Sequence, residues 1–213
     1  MSLRIQELWP VYFTEAHQRA SQIWKQDIRF EKGSRVHIVA PSGSGKTSLI
    51  HFLYGTRSSY TGSIQLNEFN ITGMKPAQKA VIREKQLSVV FQDLRLFPTL
   101  SVYENINIKR QLNPYHSEDM IPVMVERLGI THKLHQLCST CSYGEQQRVA
   151  IIRSLMQPFD FILLDEPFSH LDKENSQKAL DLILEEADKR GAGVLLADLE
   201  ELPIFPYQAL YHL

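Results

Sequence analysis

A short glycine-rich loop between an apolar strand and a helix places the strongest constraint on the fold of this chain. Residues 36–39 form an apolar run typical of a buried strand, and residues 48–53 are typical of the first turns of a helix. Gly43 and Gly45 allow the intervening backbone to curl so that successive N–H groups face an anion. The Lys46 ammonium can reach a phosphate, and the Thr47 hydroxyl suits Mg²⁺. A flexible Gly/Ser turn would explain the glycines but not the Lys-Thr pair at a strand-to-helix junction.

The sequence therefore predicts a phosphate-binding loop. Alanine stands at position 40, where such loops usually have their first glycine, and its small side chain changes the prediction little. The residues predicted to surround the nucleotide phosphates are Pro41, Ser42, Gly43, Ser44, Gly45, Lys46, Thr47 and Ser48.

Composition and charge narrow the class of protein. The 213 residues carry a formal net charge of −1, with 43% hydrophobic and 22% charged residues, as in an ordinary soluble globular protein. A dedicated nucleic-acid-binding protein would normally show a basic excess, so nucleic acid is not expected as a partner. The first residues lack the apolar region of a secretory signal, and no apolar run reaches the ~20 residues of a membrane span. We expect a cytoplasmic protein with no direct membrane insertion, whose membrane association comes through a partner.

The two cysteines, Cys138 and Cys141, form a single C-x-x-C pair. A zinc site normally needs a second Cys/His pair at a suitable spacing, and none is evident nearby. Two reduced thiols that pack as small hydrophobic side chains are the favoured interpretation, and redox chemistry remains the alternative.

Along the chain, short strands and helices alternate on both sides of a helical segment. This alternation predicts an α/β fold with a mostly parallel sheet covered on both faces. The predicted organisation is one domain over 1–213. Its P-loop NTPase core comprises 1–92, with an N-terminal antiparallel β part, and 158–213, and an α-helical lobe is inserted at 93–157.

Three later segments carry polar residues at defined positions. The apolar strand beginning at Phe161 delivers Asp165 and Glu166 at its carboxyl end, where parallel sheets bind ligands. The first acid suits the surroundings of Mg²⁺, and the second suits the activation of water. A solvated acidic turn is the alternative. The segment Ser142-Tyr143-Gly144-Glu145 is a capping box that opens a helix, and residues 169–172 read Ser-His-Leu-Asp.

With these segments in order after the loop, the chain resembles the ATP-binding cassette (ABC) family over essentially its full length. Gln92 looks like the glutamine of that family's glutamine loop, residues 142–146 look like its signature sequence, and residues 169–172 look like its D-loop. The sequence from Gly144 to Ile151 is most similar to the subgroup of lipoprotein-release, macrolide-efflux and cell-division ATPases.

The resemblance implies an ATP-binding and ATP-hydrolysing subunit of a transporter. It implies a head-to-tail homodimer or heterodimer that encloses two ATP molecules, and a permease-type membrane subunit that docks near Gln92 and the helical lobe. Glu166 would be the catalytic base and Gln92 a second catalytic residue. Ser142 and Gly144 of one subunit would close on the γ-phosphate held by the other. Asp165 would join Thr47 and Gln92 at Mg²⁺. Tyr12 would stack on adenine, with Phe13 and Trp9 as rivals.

Three residues depart from the family pattern. Tyr143 replaces the first glycine of the signature, and Cys141 replaces the leucine before it. Ala197 stands where the family has a histidine that bonds the γ-phosphate, and the loss of such a donor costs roughly a hundred- to thousandfold in rate. Hydrolysis is therefore expected to be slow. A regulatory or structural ATP-binding protein with little turnover is the alternative. A P-loop small-molecule kinase would share only the phosphate loop.

Overall fold

Two sheets form the framework of the protein. The computed structural model describes residues 1–14 and 21–213. Within these ranges, a four-stranded antiparallel sheet has the order β2-β1-β4-β5, and a five-stranded parallel sheet has the order β6-β7-β8-β3-β9. The strands are β1 (Ser2–Pro10), β2 (Asp27–Glu31), β3 (Arg35–Val39), β4 (Tyr60–Leu66), β5 (Phe69–Asn70), β6 (Leu87–Val90), β7 (Phe161–Asp165), β8 (Gly193–Asp198) and β9 (Ala209–His212).

The helices cover the parallel sheet and form a lobe beside it. They are α1 (Lys46–Leu53), α2 (Pro76–Lys85), α3 (Val102–Leu112), α4 (Met120–Arg127), α5 (Tyr143–Leu155) and α6 (Lys173–Arg190), with short 3₁₀ turns at Thr131–Lys133 and Cys138–Thr140. Helices α3, α4 and α5 lie within the segment predicted as the helical lobe. The predicted α/β fold, with a parallel sheet and an N-terminal antiparallel part, is confirmed. The boundaries at 92/93 and 157/158 stay a prediction.

The parallel sheet separates two hydrophobic clusters. Along β7, Phe161 and Leu163 pack with α1 and the antiparallel sheet, whereas Ile162 and Leu164 pack with α5 and α6. Each strand residue points to the opposite face from its neighbours, so a strand buried on both faces is apolar throughout. The carboxyl end of β7 is therefore packed on both faces. The two acids that follow Leu164 lie at the end of this well-packed strand.

Strand β1 extends beyond its regular start. Leu3 and Ile5 alternate with polar residues, which predicts a strand over residues 3–6. The strand continues to Pro10 after an irregularity that includes Glu7 at φ 48°. The continuation pairs with Thr61 and Tyr60 of β4. Gly62 makes this possible, because a Cβ atom there would lie 2.5 Å from the Gln6 carbonyl oxygen. Pairing with a distant strand, and not local propensity, sets this boundary.

Two capping boxes are present, one of them the box predicted at Ser142. The Ser101 hydroxyl accepts the Glu104 N–H at 3.2 Å, and the Glu104 carboxylate accepts the Ser101 N–H at 2.8 Å. Ser142 and Glu145 make the same exchange at 3.3 and 2.7 Å. The two boxes fix the first residues of α3 and α5, since each satisfies backbone donors that the helix leaves free.

Candidate nucleotide-binding site

The loop between β3 and α1 has the conformation that its glycines allow. Gly43 has φ 84° and Gly45 has φ 95°, both in the left-handed region that favours glycine. At Gly45 packing adds a second constraint, because a Cβ atom would lie 2.6 Å from the Phe13 ring and 3.0 Å from the Trp24 ring. The Trp24 indole N–H also donates to the Ser44 carbonyl at 3.2 Å. The loop is thus held from outside by aromatic side chains.

A cavity of about 250 Å³ opens over this loop. It brings together most of the residues that the sequence predicted, including Gln92 and Glu166 from distant parts of the chain. Its lining is Pro41, Ser42, Gly43, Gly45, Lys46, Thr47, Ser48, Gln92 and Glu166. Ser44 does not line it, since its hydroxyl donates to the Pro41 carbonyl at 2.8 Å.

A buried ion pair lies within the cavity. The Lys46 ammonium is 2.7 Å from a Glu166 carboxylate oxygen, and less than a tenth of either side chain is exposed. Lys46 also donates to the Ala40 carbonyl at 3.3 Å. The cation predicted to bind phosphate and the carboxylate predicted to act as base are therefore direct neighbours.

Glu166 holds an uncommon backbone conformation. Its φ of 48° lies in the left-handed region, which costs a non-glycine residue of order 1–3 kcal/mol. Its N–H donates to the Ala197 carbonyl at 2.9 Å, and its own carbonyl accepts from the Gln147 side chain at 3.1 Å and from the Ser169 hydroxyl at 3.2 Å. These bonds hold the backbone of Glu166 in this conformation.

Asp165 is fully buried beside this pair. Neither carboxylate oxygen has a partner in hydrogen-bonding geometry among the described residues. Burial raises the pKa of Asp165 to about 6, and the nearby Thr47 hydroxyl and Lys46 ammonium oppose this only in part. The Thr47 hydroxyl lies 3.4 Å from the Gln92 side-chain oxygen. A buried carboxylate that lacks a partner, a hydroxyl and an amide oxygen are hard oxygen ligands, and this set fits Mg²⁺.

The signature residues lie outside this cavity. Ser142 caps α5 and is exposed, and its neighbour Gly144 is partly exposed. A Cβ atom at Gly144 would lie 2.8 Å from the His170 carbonyl oxygen. The glycine is therefore needed for contact between α5 and the loop after β7. Neither Ser142 nor Gly144 meets the phosphate loop of its own chain.

Tyr12 lies at the edge of the site, half of it exposed, and its hydroxyl donates to the Ser48 hydroxyl. Its ring contacts the Phe13 ring edge-on at 5.3 Å, and Phe13 in turn contacts Trp9 and Trp24. The stacking of Tyr12 on adenine stays a prediction. Residues 15–20 follow directly, and they lie outside the described residues.

At Ala197 the site lacks a side-chain donor. Ala197 is fully buried and pairs with Asp165 in the register of β7 and β8, so both side chains lie on the same sheet face.

Cys141 and Cys138 are buried and form no disulfide, as the sequence predicted, and burial raises the pKa of the Cys138 thiol to about 11.

Sequence reasoning missed two residues of the site, Trp24 and Gln147. Gln147 is buried, and its side-chain amide donates to the Glu166 carbonyl. The same side chain accepts the His170 N–H at 3.1 Å, so it connects Glu166 to the loop that follows β7. The signal was a polar residue on the buried face of α5. Trp24 gave no comparable signal, because its contact with the Ser44 carbonyl joins positions twenty residues apart.

The site combines a strand that enters a glycine-rich loop with a lysine at the start of the following helix. Two acids stand at the end of another strand of the same parallel sheet. This combination defines a P-loop nucleotide-binding protein. Comparison with known proteins gives the family. The ABC transporter family profile matches residues 25–169. The chain belongs to the ABC transporter family.

Similar proteins include ATP-binding components of several systems. The chain is 33% identical over 173 residues to the lipoprotein-releasing system ATP-binding protein LolD of Legionella pneumophila, covering 80% of this chain and 76% of LolD. It is 32% identical over 173 residues to the cell division ATP-binding protein FtsE of Bacillus subtilis, covering 80% of this chain and 75% of FtsE. The predicted resemblance to this subgroup is confirmed.

Among solved structures, an ATP-binding cassette in a dimeric post-hydrolysis state with ADP and phosphate is similar in fold. Its TM-score is 0.79 at 19% identity, and the match covers 95% of this chain and 90% of that one. Family membership makes the chain an ATP-binding subunit of the ABC transporter type with ATPase activity, and the regulatory alternative is not favoured. No helix within 1–14 and 21–213 has the length and apolar character to cross a membrane.

Proposed function

We propose that the protein binds MgATP over the loop of residues 41–48 and hydrolyses it in a head-to-tail dimer that powers a permease-type membrane subunit. The observation that carries this proposal is the buried pair of Lys46 and Glu166 in the cavity, next to the unpartnered carboxylate of Asp165. The pair brings a phosphate-binding cation and a base together, and the buried Asp165 carboxylate adds oxygen atoms suited to a divalent cation.

Nucleotide binding exchanges the partner of Lys46. The ammonium lies 2.7 Å from Glu166, and a bound triphosphate would offer it a more highly charged anion in the same cavity. The glycine-rich backbone and the start of α1 add N–H donors. Thr47, Gln92 and Asp165 would hold Mg²⁺, which supplies neutralisation of phosphate charge when bound.

The exchange also frees the base. While Lys46 lies 2.7 Å from a Glu166 carboxylate oxygen, that oxygen is occupied by the ammonium. Once Lys46 turns to phosphate, the Glu166 carboxylate can accept a proton from an attacking water. Its backbone, fixed by Ala197 and Gln147, holds it in place. The ion pair thereby makes the availability of the Glu166 carboxylate depend on bound nucleotide.

The second half of each site would come from another subunit. Ser142 and the start of α5 are exposed and lie away from the cavity of their own chain. In a head-to-tail dimer, Ser142 and Gly144 would face the γ-phosphate held by the partner, with the positive end of the α5 dipole behind them. The solved cassette of similar fold is a dimer. Tyr12 would stack on the adenine ring, since half of it is exposed beside the loop.

A groove between the core and the helical lobe would receive the membrane subunit and place this chain at the cytoplasmic face of the membrane. The groove has a volume of about 240 Å³, an apolar floor and three cationic side chains. It is lined by Tyr54, Ser88, Val89, Phe91, Arg95, Phe97, Ile108, Lys109, Leu112, Arg153 and Ser154. Burial lowers the pKa of Lys109 to about 8, so an acidic residue on the docking segment would find a poorly solvated cation here.

Phosphate release at saturating MgATP tests the proposal. The parent should release phosphate, and Glu166→Gln should bind MgATP but release almost none. Glu200→Gln is the matched control, because Glu200 is exposed and forms no part of the cavity. Light scattering should show that Glu166→Gln passes from monomer to dimer with MgATP. A parent that binds MgATP without releasing phosphate would contradict the assignment of hydrolysis and support a regulatory role.

A further inference from the structure

Helix α5 touches the glutamine loop through a residue that the family pattern does not provide. Tyr143, the first residue of α5, donates its hydroxyl to the Gln92 carbonyl at 3.2 Å. Its ring packs against the His170 imidazole, with ring centres 4.2 Å apart. The side chain is 45% exposed, yet it joins three segments of the site. A glycine at this position could make neither contact.

The same helix holds the glutamine loop at a second point. Arg153, near the end of α5, donates to the Leu94 carbonyl at 2.6 Å and to the Arg95 carbonyl at 2.7 Å. Leu94 and Arg95 have φ of 53° and 49°, two consecutive left-handed residues that need support from their surroundings. Together, Tyr143 and Arg153 bind the carbonyls of residues 92, 94 and 95. The loop is therefore attached along the helix, and a displacement of the loop would be transmitted to α5.

This attachment joins two different nucleotide sites. The Gln92 side chain lies 3.4 Å from Thr47 in the cavity of its own chain. Ser142, one residue before Tyr143, is the group presented to the partner's nucleotide in the proposed dimer. We infer that Tyr143 is a positioning residue that couples the glutamine loop of one site to the signature serine offered to the other. This inference rests on the proposed function.

The alternative is a surface tyrosine that merely packs, and Tyr143→Phe separates the two. The change removes the hydroxyl and keeps the ring on His170. In the Glu166→Gln background, loss of one solvent-accessible hydrogen bond should raise the MgATP concentration for half-maximal dimerisation by about two- to tenfold. Affinity for ADP, measured by calorimetry on the monomer, should not change, because the hydroxyl does not line the cavity.

The second part of the test compares KM with kcat in the protein that retains Glu166. Tyr143→Phe should raise KM for ATP by the same factor as the dimerisation midpoint and change kcat at saturating ATP by less than about twofold. The matched control is Tyr115→Phe on the helical lobe, since Tyr115 is 42% exposed and its ring packs against Arg190, away from the cavity. It should leave both quantities at the parental value.

A dimerisation midpoint in Tyr143→Phe that equals or falls below the parental value would overturn the inference. An equal loss of ADP affinity or of thermal stability would also overturn it, since that is the behaviour of a structural residue. Failure of the proposed function looks different, because the Glu166→Gln protein would then not dimerise with MgATP even when Tyr143 is present.

Discussion

Asp165→Asn is expected to stabilise the protein without ligand and to reduce strongly its stabilisation by MgATP. Asp165 is fully buried without a hydrogen-bond partner among the described residues, and burial raises its pKa from an ordinary 3.8 to about 6. An acid with a raised pKa in the folded state stabilises folding only while it is protonated. Its contribution is present below pH 4, and it is lost as the pH rises through 6.

The size of the effect follows from the two pKa values. Each pKa unit corresponds to about 1.4 kcal/mol, so ionisation of Asp165 in the folded protein costs about 3 kcal/mol at pH 8. Asparagine cannot ionise, and the variant should unfold with a free energy about 3 kcal/mol higher at that pH. For a chain of this length, the difference corresponds to a rise in Tm of about 6–12 °C. At pH 5 the gain should fall to about half, and below pH 4 it should vanish.

Urea unfolding of the parent and the variant between pH 4 and pH 8 measures this difference. Asp181→Asn is the matched control, because Asp181 is exposed on α6, and it should show no comparable pH-dependent gain. Saturating MgATP should stabilise the parent strongly and the variant little, since the cation loses its buried carboxylate. A variant that is no more stable than the parent at pH 8, or whose gain does not shrink with falling pH, would refute the argument.

Three further changes have defined outcomes. Gly45→Ala should lower stability by about 1–3 kcal/mol in urea unfolding and weaken ATP binding in calorimetry, because its φ of 95° and the Phe13 ring exclude a Cβ atom. Glu186→Gln should cost about 3–5 kcal/mol in urea unfolding, since this 1% exposed carboxylate bonds the His116 imidazole and two cationic side chains. Ala197→His should raise kcat for phosphate release by up to about a hundredfold with little change in KM.

The sequence predicted those parts of the site that depend on local chemistry. One short segment contains strand β3, two glycines with positive φ and the Lys-Thr pair. Each residue type is required at its position by the conformation or the chemistry of a phosphate-binding loop. The capping box at Ser142 is equally local. The apolar strand β7 was recognised because burial on both faces leaves no polar position before Asp165.

The contacts that position the reactive side chains could not be predicted from the sequence, because they join residues far apart in the chain. The pairing of Lys46 with Glu166 spans 120 residues and depends on the strand order of the parallel sheet. The φ of Glu166 depends on the Ala197 carbonyl and the Gln147 side chain. No residue pattern near Glu166 indicates a left-handed conformation, since glutamate has no preference for it.

The two main departures from the family pattern affect different properties of the site. Ala197 lies beside Asp165 and offers no side-chain donor to a nucleotide, although its backbone still orients Glu166. It should therefore lower the rate of chemistry without altering the assembly of the site. Tyr143 adds a bond between α5 and the Gln92 backbone, which bears on how two subunits close and not on the reacting atoms. We therefore expect a site that assembles firmly and turns over slowly. Such a protein would spend more of its cycle in the closed, nucleotide-bound dimer than one with a histidine at 197 and a glycine at 143.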